Sequence, residues 1–112
     1  MAIATVNLRI DQGATYTNEW IWRQNGEPVD LTDYSARGHV RKTFNSPLLL
    51  DLTSYITLGD EGTITVEVPS TATEGLHWPG YARYDIELED GDGIVTRLLE
   101  GKVVLSQEVT YD

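Results

Sequence analysis

Thr63-Ile64-Thr65-Val66-Glu67-Val68 is the stretch on which the fold turns. Ile64, Val66 and Val68 face one way, and Thr65 and Glu67 the other. A period of two is the mark of a half-buried strand, because successive side chains of extended backbone point to opposite sides. Pro69, with no amide to donate, stops it. The same period returns downstream over 81–89, where Tyr84, Ile86 and Leu88 alternate with Arg83, Asp85 and Glu87. Asp90-Gly91-Asp92-Gly93 reads as a hairpin turn, so residues 94–105 pair back across it. Between these strands, residues 70–76 fit one short helical turn with Ser70 as its cap, and Trp78-Pro79-Gly80 closes the link.

Upstream the pattern holds. Val6, Leu8 and Ile10 alternate with Asn7, Arg9 and Asp11, and Gln12-Gly13-Ala14 breaks the strand. Residues 16–23 alternate again, with Tyr16, Asn18, Trp20 and Trp22 on one side, and Asn25-Gly26 is a strong turn signal. Pro28 to Thr32 is an extended link. A third strand spans 35–44 with a weaker pattern, in which Ala36, Gly38, Val40 and Lys42 oppose Arg37, His39 and Arg41. Leu48-Leu49-Leu50-Asp51-Leu52 is a short apolar run, and residues 57–62 hold another turn. About seven short strands at spacings near ten residues predict an all-β fold: an immunoglobulin-like antiparallel β-sandwich filling residues 1–112 as one domain.

Composition agrees. A chain of 112 residues, 40% hydrophobic and 23% charged, suits one globular core and leaves no room for a second. There are no cysteines, which removes disulfides, thiolate metal sites and cysteine nucleophiles. No apolar run approaches the roughly 20 residues that span a bilayer, and nothing resembles a signal peptide, so a soluble chain made in the cytoplasm is expected. The formal net charge is −10 and the pI about 4.4. Nucleic acid is expected to repel such a chain.

Candidate sites are few. His39 and His77 lack a third metal ligand, no serine sits in a nucleophile motif, and no P-loop or dinucleotide-binding glycine pattern is present. Neither a cofactor nor a catalytic set is expected. Glu89-Asp90-Gly91-Asp92-Gly93 has the carboxylate density of a calcium loop, yet lacks its twelve-residue frame, and Asp-Gly pairs are what a tight turn prefers. Trp20 and Trp22 share one strand face. They either pack the core or meet another subunit, as does Trp78 beside Pro79. The ends are β-prone, including Val109 and Tyr111 in the tail. They either continue the terminal strands or add a strand to a neighbour.

Several stretches carry a resemblance. They are Asp11-Gln12-Gly13-Ala14-Thr15 before an aromatic strand, Gly26-Glu27-Pro28-Val29-Asp30-Leu31-Thr32, Arg41-Lys42, Pro79-Gly80-Tyr81-Ala82-Arg83-Tyr84-Asp85-Ile86-Glu87-Leu88, and the closing run from Asp92 to Val103. In this order they resemble the N-terminal β-sandwich of tailed-phage upper baseplate proteins and similar small proteins encoded among phage structural genes. The resemblance implies a non-enzymatic virion component whose partners are other phage proteins, repeated by symmetry. Upper baseplate proteins carry further segments after this domain. For a chain ending at Asp112 the implied role is to clip between virion proteins in the baseplate, tail or neck. The alternatives are head decoration, or a carbohydrate-binding module with Trp20, Trp22 and Trp78 as sugar platforms.

Overall fold

The structure is a computed structural model and describes residues 2–110. Eleven short strands follow one another: β1 Ala4–Thr5, β2 Leu8–Asp11, β3 Tyr16–Ile21, β4 Arg23–Gln24, β5 Glu27–Pro28, β6 Ser35–Arg41, β7 Leu48–Asp51, β8 Ile56–Leu58, β9 Thr63–Val68, β10 Tyr81–Glu89 and β11 Val95–Ser106. The larger sheet runs β1-β11-β10-β6-β7, with β2 also on β11; the smaller runs β3-β9-β8. The two sheets stack as an immunoglobulin-like sandwich. Strands β4 and β5 form a separate ribbon closed by Asn25-Gly26, both at positive φ (53° and 81°), as a two-residue hairpin turn requires.

The strands that sequence alone marks are the long ones. The strand count exceeds seven for local reasons. The first strand is broken in two at Val6-Asn7, the ribbon is added beyond β3, and β8 forms where only a turn was expected. The pairing is also not wholly antiparallel, since β1 and β2 lie parallel to β11. The helical turn exists as a 3-10 turn, Ser70–Ala72, but Ser70 is not its cap. Pro69 takes that place and offers no capping side chain. The segment is held by Thr73 instead, which is fully buried and whose Oγ1 accepts the Gly13 amide at 2.9 Å. Gln12 adds to this stitch. Its Nε2 donates to the carbonyls of Glu74 and Leu76, and its Oε1 accepts the Glu108 amide.

The core lies between the sheets. Val40, Ala82, Ile86, Leu88, Leu99 and Val103 point in from the larger sheet, and Ile64, Val66 and Val68 from the smaller. Leu8, Ile10, Leu31 and Leu52 close the flanks. Each buried aliphatic side chain is worth about 1.5–3 kcal/mol over exposure, so this layer dominates stability. A bulge between Ile86 and Glu87 lets Leu98 and Leu99, adjacent in sequence, both be buried.

One inner position ties the first strand down. Tyr84 on β10 faces Gly101 on β11, and its hydroxyl reaches over that glycine to donate to the Val6 carbonyl at 2.6 Å. Burial pushes the Tyr84 phenol far above its ordinary range, so it remains a donor. A Cβ at Gly101 would overlap that same carbonyl. Asn7 completes the crossing, its Oδ1 accepting the Lys102 amide at 3.0 Å. Gly101→Ala is therefore expected to lose about 1–3 kcal/mol through overpacking, and Tyr84→Phe about 1–2 kcal/mol through an orphaned carbonyl. Chemical denaturation of both variants checks this; a Gly101→Ala chain as stable as wild type would contradict it.

Candidate functional site

The outer face of the larger sheet carries a groove of about 570 Å³. Its floor is set by pairing register. Arg41, Arg83 and Lys102 lie directly across from one another on β6, β10 and β11. The next row is His39, Asp85 and Glu100, and the next Arg37, Glu87 and Arg97. Cross-strand neighbours on one face sit about 5 Å apart, so each row acts as a unit.

The rows differ in their balance. Arg37 pairs with Glu87 at 3.0 Å, and Arg97 reaches Asp85, Glu87 and Glu100 at 3.5–3.9 Å. Those two rows largely neutralise themselves. The row Arg41, Arg83 and Lys102 has no carboxylate partner among the described residues. Like charges directly opposite each other oppose folding, so this row is a local liability. Its compensation is aromatic. Tyr81 is ringed by cations, with Lys102 Nζ 4.4 Å, Lys42 Nζ 5.5 Å and the Arg83 guanidinium 5.8 Å from its centroid. Arg83 also stands 5.2 Å from the Phe44 ring, which is 82% exposed. Cation–π contact at exposed sites contributes about 0.5–1 kcal/mol and leaves the charges free to meet an anion.

The patch is held rigidly. Lys42 Nζ donates to the carbonyls of Pro79 (2.6 Å) and Tyr81 (2.5 Å), and Arg41 donates to the Ser46 carbonyl at 2.9 Å. Thr43 and Ser46 bond each other across the β6–β7 turn. Of the eight Lys and Arg residues in the chain, Arg37, Arg41, Lys42, Arg83, Arg97 and Lys102 belong to this face or its rim. A protein of net charge −10 has gathered six of its eight Lys and Arg residues on one face.

The opposite pole is acidic. The loops 22–34, 59–62 and 89–94 meet there: Trp22 donates its amide to the Gly62 carbonyl, Gly62 abuts Val29, and Gly91 abuts Asp33. Glu27, Asp30 and Asp33 come from the first loop, Asp60 and Glu61 from the second. Glu89, Asp90 and Asp92 come from the third, with Ile94 and Val95 exposed beside them. Two of these carboxylates are spent locally. Asp30 accepts from the hydroxyl and amide of Thr32, which hold it below the usual carboxylate range, and Asp90 accepts from the amides of Asp92 and Ile94 to shape the hairpin turn.

The residues marked in the sequence fall elsewhere. Trp22 is 8% exposed, edge-on to Tyr34 at 6.0 Å, and Trp78 is 3% exposed with Nε1 donating to the Val103 carbonyl. Both indoles are core. Trp20 is half-buried on the inner side of β3. Val109 is 90% exposed, and Tyr111 lies outside the described residues. The start of the chain is committed to its own sheet through β1 and β2. Arg41, Lys42 and Tyr81 were visible in the sequence only as separate residues. The register that joins them to Arg83 and Lys102 depends on strand pairing across half the chain.

No protein-family model and no curated protein sequence matches this chain. Among solved structures, it is similar to the extracellular domains of the voltage-gated sodium channel β4 subunit, with a TM-score of 0.53 at 10% identity, covering 97% of this chain and 98% of that one. A second structure, of cell-adhesive sodium channel β subunits, matches with a TM-score of 0.48 at 10% identity, covering 98% of each chain. The first likeness bears on fold alone, and there it agrees with the immunoglobulin-like sandwich.

Asp85 supplies a test of the face's electrostatics. Burial, then the nearby Glu87, raises its carboxyl above the ordinary range despite Arg97. An acid with a raised folded pKa favours the native state while protonated and penalises it once ionised, so its cost is full above the folded pKa and vanishes below the unfolded one. Asp85→Asn is expected to raise Tm at pH 7, with the gain shrinking as pH falls toward the unfolded carboxyl's value of about 4. Equal Tm at pH 7, or a gain that grows in acid, would refute it.

Proposed function

We propose that this chain is a non-enzymatic structural component of a tailed-phage particle, placed in the baseplate, tail or neck and working through protein–protein contact. The observation that carries the contact role is the patch of Tyr81, Phe44, Arg83 and Lys102. Tyr, Phe and Arg are enriched at interfaces, and Tyr and Arg anchor hot spots. Here they stand on strands whose register is fixed by a packed core, so a partner meets a preorganised surface. The setting in a phage particle rests on the resemblance carried by the motifs around Pro28-Val29-Asp30-Leu31-Thr32 and Tyr81 to Leu88. Head decoration would use the same surface. A sugar-binding role draws less support, because Trp22 and Trp78 are enclosed by the core and cannot act as stacking platforms.

Mass spectrometry of purified particles is expected to find the protein at a fixed copy number; its absence would overturn the reading. Tyr81→Ala and Arg83→Ala are expected to lower incorporation at least tenfold, while global stability stays within about 0.5 kcal/mol for Arg83→Ala and falls by about 1–2 kcal/mol for Tyr81→Ala, which removes the ring that three cations share. Full incorporation of both variants would remove the patch from the contact.

A further inference from the structure

We propose that the basic, aromatic end of one copy docks the acidic loop end of the next, so that the chain assembles head to tail. This deepens the reading of a virion component by naming one partner: a second copy of this chain.

Three observations converge. The row Arg41, Arg83 and Lys102 is held in like-charge register with no carboxylate opposite, a cost in the isolated chain that an acidic partner would offset. The chain itself supplies such a partner in the pole formed by its loops 22–34, 59–62 and 89–94. Both poles also hold exposed apolar side chains for the centre of a contact, Phe44 and Tyr81 at one, Ile94 and Val95 at the other. Apolar centre and charged rim match the anatomy of specific interfaces.

Head-to-tail docking of unlike patches is a heterologous contact. Strand β10 runs from Tyr81 at the basic pole to Glu89 at the acidic one. Used twice across a two-fold axis, unlike patches would stop at an antiparallel dimer; head to tail, they are used once per junction. They join in series and give a ring if the rotation closes, or a filament if it does not. Net charge of −10 on every copy opposes approach. At about 0.1 M salt the Debye length is about 10 Å, so the distant acidic groups are screened while contacts at the junction persist.

Sedimentation velocity of the full chain, up to about 1 mM at about 0.1 M salt, is expected to show concentration-dependent association that about 1 M salt reduces. The double variant Arg83→Glu/Lys102→Glu and the triple variant Asp60→Lys/Glu61→Lys/Asp92→Lys should each lose association by about a hundredfold when alone. Mixed, they should associate again, since the intact basic end of one meets the intact acidic end of the other and the two reversed ends are complementary as well. Circular dichroism verifies folding, and Arg83→Gln/Lys102→Gln replaces the first variant if charge reversal unfolds it. Monomeric wild type across this range overturns the proposal, as does self-association of the triple variant, which would mean a two-fold contact through the basic face. Either result leaves the virion reading intact, because that reading stands or falls on the protein's presence in particles.

Discussion

The register of β10 between β6 and β11 is the constraint on which the rest of the molecule depends. It places Tyr84, Ile86 and Leu88 against Val40, Gly38 and Ala36 on one side and against Gly101, Leu99 and Thr96 on the other. A slip of one residue would send this inner set to solvent and bring Arg83, Asp85 and Glu87 into the core. The hydrophobic layer therefore selects the register, and the register in turn fixes the charged rows outside. The outer face is a by-product of core packing in its geometry and an independent feature in its chemistry, since burial does not dictate which charges stand there.

How much of this was legible depended on range. Strands such as β9 and β10 announce themselves by alternation within a few residues, and Asn25-Gly26 announces its turn by the need for positive φ. The break at Val6-Asn7, the short β8 and the parallel docking of β1 and β2 follow from contacts between distant segments. Tyr84 and Val6 are 78 positions apart, and Gln12 and Glu108 are 96 apart. The site was less legible still. Trp20, Trp22 and Trp78 drew notice because indoles are large, and for that same reason the sandwich uses Trp22 and Trp78 as filling. Arg83 and Lys102 are ordinary outward residues in their own strands and become a patch only when paired.

The two poles show a conflict between local and global preference. Even spreading of charge would favour an isolated soluble domain, and a row of cations on adjacent strands runs against it. The sandwich tolerates the row because the core beneath is closed on every flank and because Tyr81 shares the charge among three cations.

The parallel docking of the first strand has a consequence for connectivity. Ile3 lies beside Arg97, near the β10–β11 hairpin, and Asp11 lies beside Ser106, beyond the basic row. The first strands thus begin near one pole, and the last strand ends near the other. Copies joined in tandem by a short flexible tether would all point the same way, with each exit close to the following entrance. Polarity along such a string would be written into the polypeptide itself.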